Sequence, residues 1–375
     1  MAAREHFDVI IIGSGIAGAS LAYFLSERGM TNVLLLERES QPGYHATGRS
    51  AAVLVEWDTI PALQELKVQG GAFLRHPPAG FSEQPVLHPT GILVTFQNPA
   101  WHAVRELVPL LTQRGTSAQA LSQSEVLALV PVLTPAHFDG GVFLPEDGHI
   151  DVHELLWSYL RHAGRRGVQR RCQTEVIGIR VDSGRCRGVV TSLGEFDARW
   201  VVNAAGAWAS RVATLAGAAT IPITPHRRTI VTFAAPDDLD VSRWPLVTNE
   251  SHHLYFAPES GGLFASPMDE HPMEPCDVQP DDLVVAETID RLARLAPPLV
   301  PRTIRRKWSG LRSFAPDRVL VVGEDPQVKG FFWLAGQGGC GIETSPAVGR
   351  IAADLLLDGR TGRYDTALLS PVRFI

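Results

Sequence analysis

The stretch from Val9 to Glu37 leaves this chain few ways to fold. An apolar run, Val9-Ile-Ile-Ile12, is followed at once by Gly13-Ser-Gly15-Ile-Ala-Gly18. A segment of small residues then leads to Arg28-Gly29, and a second apolar run, Val33-Leu-Leu-Leu36, is closed by Glu37. Strand, tight turn, helix, strand and acid in that order make a dinucleotide-binding unit. A glycine triplet alone says little, because an ordinary βαβ unit can carry one by accident. Here it directly follows a strand-like run, and Glu37 lies nineteen residues beyond Gly18. Gly13 permits the turn, Gly15 lets a pyrophosphate approach the backbone, and Gly18 lets the helix pack closely on the strand. Free N–H groups at the helix start, at Ile16 and Ala17, meet the phosphate charge. Glu37, with Arg38 beside it, accepts hydrogen bonds from an adenosine ribose.

Around that unit, 375 residues of which 45% are hydrophobic can bury a large core and suffice for two domains. The formal net charge of -6, with both signs dispersed, gives no reason to expect a nucleic-acid partner. The basic cluster from Arg165-Arg166 to Arg170-Arg171 reads as a solvated helix end and strand start. Cys172, Cys186, Cys276 and Cys340 form no C-x-x-C pair and have no histidine at metal-site spacing, so neither a metal site nor a disulfide framework is expected. The start passes straight into the first strand, and no apolar run approaches the roughly 20 residues of a membrane span. The expectation is a soluble cytoplasmic protein with no integral membrane association.

After Glu37, the stretch to Ala52 reads as a loop ending in a helix start capped by Thr47 or Ser50, with Arg49 as a phosphate ligand. Helices are expected around 62–74, 101–114 and 122–130, with a strand at 91–96, as an insertion before the first unit continues. Asp151 followed by Glu154 signals the start of a helix that runs to 163–164. Strands follow at 168–172, 176–181, 186–191 and 196–198. Then Arg199-Trp-Val-Val-Asn203 enters Ala204-Ala-Gly206-Ala-Trp-Ala209, a second strand-to-helix crossing where small side chains permit close approach. Segments 222–234 and 244–266, the latter turning at Gly261-Gly262, and an amphipathic helix at 281–296 suggest an antiparallel sheet with helices. Residues 308–314 read as a loop, and 319–322 and 331–334 as strands. A glycine-rich turn from Ala335 then leads into a helix starting at Thr344 or Ser345, with Pro346 in first position and its end at Gly359.

One dinucleotide half joined to a second glycine-rich helix entry suits FAD better than NAD. The first helix serves the pyrophosphate and the last serves the flavin's pyrimidine carbonyl, where negative charge grows on reduction. The motifs Gly13-Ser-Gly-Ile-Ala-Gly-Ala-Ser20, Gln41-Pro-Gly-Tyr-His-Ala-Thr-Gly-Arg-Ser-Ala-Ala52, Val202-Asn-Ala-Ala-Gly-Ala-Trp208, Arg227-Arg-Thr229, Gly310-Leu-Arg-Ser-Phe314 and Ala335-Gly-Gln-Gly-Gly-Cys-Gly-Ile-Glu-Thr-Ser345 occur in that order. From about Asp8 to the C-terminus the chain therefore resembles the D-amino-acid oxidase and dehydrogenase superfamily of flavoenzymes. Within it, the likeness is greatest to the bacterial FAD-dependent D-arginine dehydrogenases. The resemblance implies an α/β fold with a discontinuous, Rossmann-like FAD-binding domain of the glutathione-reductase type over 1–56, 145–220 and 305–375. A substrate domain, mainly antiparallel β-sheet with helices, is implied over 57–144 and 221–304.

The implied FAD contacts begin with Gly13, Gly15, Ile16, Ala17, Gly18, Glu37 and Arg38. They continue through Thr47, Arg49, Ser50, Ala51 and Ala52, then Val176, Ala205, Gly206 and Trp208. They end with Gly310, Arg312, Gly338, Gly339, Cys340, Gly341, Ile342, Glu343 and Thr344. Ser313-Phe-Ala-Pro316 follows Arg312, where sarcosine oxidases carry a linking cysteine, so FAD is expected to be non-covalent.

Members of the superfamily bind the substrate carboxylate with arginine and often tyrosine above the flavin. Carried onto this chain, the catalytic set is Arg312, Arg228 and Tyr255. A guanidinium grips a carboxylate through two parallel hydrogen bonds and so fixes the α-carbon. Val53-Leu-Val-Glu-Trp-Asp58 stands where the relative's lid carries a histidine and tyrosines, with Glu56 or Asp58 placed to meet a base if they face the pocket. Cys340 stands where the relative has tyrosine. His45 reads as structural, and His226 neighbours the arginine pair. The implied reaction oxidises a D-amino acid to its imino acid, the α-hydrogen passing as hydride to flavin N5 and the imine hydrolysing in solution. The alternatives are a 2-hydroxy acid or a secondary amine such as sarcosine or proline, and a non-catalytic dinucleotide-binding scaffold. The expected partners are an amino-acid-like carboxylate and an electron acceptor: a quinone, another carrier or O2.

Overall fold

The computed structural model describes residues 4–375. The opening stretch folds as β1 (Glu5–Ile12), α1 (Ile16–Glu27) and β2 (Val33–Leu36). The strands are parallel, with Val9 opposite Val33 and Ile12 opposite Leu36. Val9–Ile12 and the whole of β2 are buried, which is why these runs are continuously apolar instead of alternating. Gln169–Arg171 extends the sheet beyond β2. On its other edge β1 pairs in parallel with β3 (Gly194–Asn203). The expected strand at 196–198 and the run after it are therefore one strand. Its first half is antiparallel to Arg185–Thr191 and its second half parallel to Phe331–Ala335, so the last part of the chain returns to the first unit.

The sheet is flanked by α1, by α2 (Pro61–Arg75) and by the long α3 (Gly341–Asp358). Close backbone approach fixes their spacing. A methyl group on Gly349 would lie 2.7 Å from Ser20 Oγ, and one on Gly70 would lie 2.0 Å from the carbonyl oxygen of Glu343. The last helix starts at Gly341, three residues before the expected cap, and Pro346 sits inside it. Proline removes one backbone hydrogen bond there, while packing along an almost wholly buried helix holds the rest. Its end is as expected, with Gly359 left-handed at φ 68°.

The second sheet has nine strands. Its main strands are β4 (Thr224–Ala234), β5 (Leu246–Asn249), β6 (Leu254–Glu259) and β7 (Ile304–Phe314). β7 runs antiparallel to β4 along its length, and β5 joins the insertion through a parallel pairing with Ile92–Phe96. One face packs Val231, Phe233 and Phe256 against Leu292 of the helix Asp282–Leu295. The other face brings Ile230, Tyr255 and Phe264 together with Val53, Val55 and Trp57.

Three further expectations are corrected. Residues 308–314 are strand, not loop; Gly310 and Arg312 on its cavity-lining face interrupt the apolar alternation that marks a strand. The helix expected over 101–114 is two short helices, Ala100–Arg105 and Val108–Gln113, the second opening with Pro109 in its first turn. No helix begins at Ser50: its hydroxyl accepts from Ala52 N, and the chain continues into the short strand Val53–Leu54. Among the described residues, no helix is long and apolar enough to cross a membrane, and no group of three metal-ligating side chains is found.

Candidate functional site

Three cavities adjoin one another through shared lining residues, from the turn of the βαβ unit to the β4/β7 ladder. The first, of about 460 Å³, lies over the turn of the βαβ unit and is lined by Gly13, Gly15, Glu37, Arg38 and Thr47, then by Val176, Ala205, Gly206 and Trp208. The second, of about 120 Å³, shares Gly15, Thr47 and Gly206 with it and adds Ile16, Ala17, Arg49, Ser50, Gly310 and Gly341. The third, of about 410 Å³, shares Ser50, Arg228, Arg312, Gly338, Gly339 and Ile342 with the second. It continues to Ala51, Ala52, Tyr255, Cys340 and Glu343. Gly18 and Thr344 line none of the three. A methyl group on Gly18 would meet Gly13 O at 2.0 Å, and Thr344 Oγ1 donates to Cys340 O at 2.8 Å. Both shape the cavities without facing them.

The residues of the first two cavities fit FAD. Gly13 has φ +104°, and a methyl group there would lie 2.4 Å from the carbonyl oxygen of Ala204, so the two strand-to-helix crossings meet at this point. Glu37 Oε2 accepts from Ser14 N and Ser14 Oγ, both at 3.0 Å, and Oε1 accepts from Glu39 N at 3.0 Å. The acid thus fixes the turn it is expected to complement. Thr47 Oγ1 accepts from Ile16 N at 3.1 Å, so Thr47 serves the first helix and not a second one. Arg38 lies over the Trp208 ring at 3.9 Å, and His45 Nε2 contacts Glu39 Oε1 at 2.8 Å, in keeping with a structural role for that histidine. Arg49 borders the second cavity, but its guanidinium binds Asp277 and the carbonyl oxygens of Val278 and Ser309. It pins the 277–278 segment instead of standing free for a phosphate. Replacing Glu37 with alanine raises the Kd for FAD by about 10- to 100-fold, the worth of one hydrogen bond to a charged group. Fluorescence titration of apoprotein with FAD measures this.

Three polar groups converge in the third cavity. In the β4/β7 ladder Arg228 pairs with Gly310 and His226 with Arg312, which puts both arginines on one face as diagonal neighbours. Arg227, on the opposite face, bonds Asp281. The Arg312 guanidinium has no hydrogen-bond or ion-pair partner among the described residues. It lies against Gly339, where a methyl group would be 3.0 Å from its Nη1. Burial, and then the nearby Arg312 charge, draws the pKa of Arg228 down to about 10. The Tyr255 hydroxyl is buried without a partner among the described residues. Two like charges and an unsatisfied hydroxyl around one space make a receptor for an anion with several acceptor positions. His226 does not border the cavity and contacts Thr224 O at 3.0 Å.

The opposite wall corrects the reading of 53–58. Glu56 is fully buried away from the cavity and accepts from Arg75 at 2.6 Å. Asp58 does border the cavity, but Lys67 of α2 holds it at 2.9 Å and also meets Glu343 at 3.3 Å. Glu343 in turn accepts from Val55 N at 2.7 Å, so this segment is tied to the start of α3. Burial pulls the Lys67 pKa down, yet Glu343 and Asp58 outweigh it and keep the ammonium charged. Lys67 carried no signal in the sequence, since it lies on an otherwise ordinary amphipathic helix. Cys340 donates its thiol to Gln337 O at 3.2 Å, and burial pushes its pKa up to about 12, so it is a small buried side chain and not a thiolate.

Comparison with known proteins agrees with this geometry. The family described as DAO, FAD dependent oxidoreductase, matches residues 8–355. The chain is 27% identical to mitochondrial sarcosine dehydrogenase from Homo sapiens over 94% of its own length, and spans 40% of the length of that protein. It is 28% identical to glycine oxidase from Geobacillus kaustophilus, covering 99% of this chain and 98% of that one. The crystal structure of that glycine oxidase superposes with a TM-score of 0.83 at 26% identity, covering 99% of this chain and 100% of the other. L-proline dehydrogenase from P. horikoshii superposes with a TM-score of 0.89 over 99% of this chain and 98% of the other; at 23% identity it speaks for the fold. The similarity is to the superfamily, and none of these relatives singles out a D-arginine dehydrogenase.

Proposed function

This chain belongs to the FAD dependent oxidoreductase family, DAO, and from that premise we propose that it oxidises a secondary amine of the α-amino-acid type, sarcosine-like or proline-like. Bound non-covalently along the first two cavities, by residues such as Gly13, Gly15 and Thr47, FAD would supply a two-electron acceptor for hydride from the carbon beside the nitrogen. Everything else falls to this chain's own side chains. Arg312, the open edge of Arg228 and the Tyr255 hydroxyl grip the carboxylate, and the observation that carries the proposal is that Arg312 and Tyr255, both without a partner among the described residues, converge with that edge. Orientation by such a grip is itself a large share of catalysis. Beyond it the wall turns apolar, with Val53, Val55, Trp57, Ile92, Val94 and Leu246. An N-alkyl group or a ring methylene packs against these side chains. This favours the secondary amine over the D-amino acid.

The amine must be neutral to release hydride, after which its remaining N–H proton leaves to solvent and water hydrolyses the imine. Anaerobic bleaching of the yellow holoprotein with sarcosine, D- and L-proline, glycine, D- and L-amino acids and 2-hydroxy acids tests the proposal. The expected order puts a secondary amine first. A D-amino acid or hydroxy acid reacting fastest overturns it, and a flavin that no compound bleaches favours a scaffold. Reoxidation in air then separates O2 from a quinone or another carrier as the acceptor.

A further inference from the structure

Arg228 enters the third cavity already held on one side. Its Nε donates to Asp269 O and its Nη2 to Glu270 Oε1, both at 2.9 Å, which leaves Nη1 without a partner among the described residues. Glu270 also borders this cavity and is held in turn by Arg318, which lines its more exposed edge. Arg318 donates Nη1 to Oε2 and Nη2 to Oε1, each at 3.0 Å, and lays its guanidinium over Phe314 at 4.0 Å. The side chains are 5% exposed at Arg228, 32% at Glu270 and 48% at Arg318, so the chain of charges runs from the cavity wall out to solvent. The backbone that presents Glu270 is itself fixed, because the carboxylate of Asp269 accepts from Thr229 N at 2.6 Å and Thr229 Oγ1 at 2.9 Å.

We propose that Glu270 is a positioning residue for the substrate: by holding Nη2 of Arg228 it turns the open Nη1 edge toward the carboxylate shared with Arg312, and Arg318 keeps Glu270 in place. The proposal rests on the carboxylate grip described above. Two features separate it from an ordinary surface ion pair, which is worth little. The inner guanidinium is buried beside a like charge, so that it needs an anion to stay where it is. The outer pair cancels its own charge, so Glu270 orients Arg228 without placing a net negative charge beside an incoming carboxylate.

The test uses holoenzyme and the charge-balanced double variant Glu270→Leu with Arg318→Met. Acetate is the probe and acetamide the neutral control, each followed by the absorbance of the bound flavin. The acetate Kd is expected to rise on the order of tenfold, as for a charge-assisted hydrogen bond lost through misalignment, with acetamide unchanged. For turnover the same variant raises KM by about the same factor and leaves kcat within about twofold, the mark of lost binding common to ground and transition states. In an Arg228→Met background the double substitution has no further effect on acetate. A wild-type acetate Kd in the double variant, or losses that multiply in the Arg228→Met background, overturns the proposal. If the double variant does not load FAD, Glu270→Gln with Arg318→Gln, also charge-balanced, is read by the same criteria. Should wild-type protein show no response to acetate and Arg312→Met keep full kcat/KM, the carboxylate grip itself is wrong, a failure distinct from that of Glu270 alone.

Discussion

Replacing Arg312 with methionine lowers kcat/KM by about 30- to 4,000-fold, the range expected when one partner of a desolvated charge pair is truncated, while the protein stays yellow. Arg312 has no ion pair or hydrogen bond among the described residues, and its guanidinium lies against Gly339 at the entry to α3. It therefore serves no structural partner, and its removal relieves a repulsion: the Arg312 charge is one of the two largest causes that lower the Arg228 pKa, after burial. Thermal stability without substrate is expected to hold or rise slightly. That combination of lost turnover, retained flavin and unreduced melting temperature is the signature of a residue kept for its ligand. Steady-state kinetics, the ratio of flavin to protein absorbance and a melting curve measure all three. Unchanged kcat/KM would remove Arg312 from the site.

Gly18→Ala gives colourless protein with reduced stability. The new methyl group would stand 2.0 Å from Gly13 O and 3.1 Å from Ile11 Cγ2, and the nearer neighbour is backbone that cannot swing aside. Helix α1 must move off β1, and the turn that would cradle the pyrophosphate moves with it. Overpacking of this kind costs about 1–3 kcal/mol or more, to which the loss of bound FAD adds, since a ligand stabilises only the state that binds it. The control is Gly164→Ala, in the helix Val152–Arg165, where a methyl group meets nothing within 4 Å. That change is expected to be neutral or to stabilise by about 0.5–1 kcal/mol. A yellow Gly18→Ala protein with the wild-type melting temperature would mean that the helix and strand do not touch as described.

The cofactor half of the site was largely legible in the sequence because its chemistry is local. Turn, helix entry and closing acid lie within one βαβ unit, and the spacing from Gly13 to Glu37 carries the message. The second glycine-rich entry at Gly338 to Gly341 was legible for the same reason, although the helix begins earlier than Pro346 suggested. The substrate half was not. Arg312 and Arg228 stand out only through motif resemblance, and the segment around Arg312 reads as a loop because Gly310 and Arg312 on its cavity-lining face interrupt the apolar alternation of a strand. Lys67, Glu270 and Arg318 gave no sign at all, since each is an ordinary charged residue until a partner remote in the chain meets it. Glu56 and Asp58 looked equivalent, yet one is buried against Arg75 and the other reaches the cavity.

By itself the sequence determined that a parallel sheet with a dinucleotide turn would form, and that a late helix would offer a second anion-binding end. Both follow from backbone geometry that glycine and apolar runs dictate within a few residues. Only the tertiary structure decided which charges remain free. Of the side chains lining the cavities, Arg49 is taken by Asp277, Asp58 by Lys67 and Glu270 by Arg318, while Arg312 and the Tyr255 hydroxyl are left without a partner among the described residues. A charge becomes a binding site when the fold brings it out of water and leaves it unpaired, and that depends on neighbours far away in the chain.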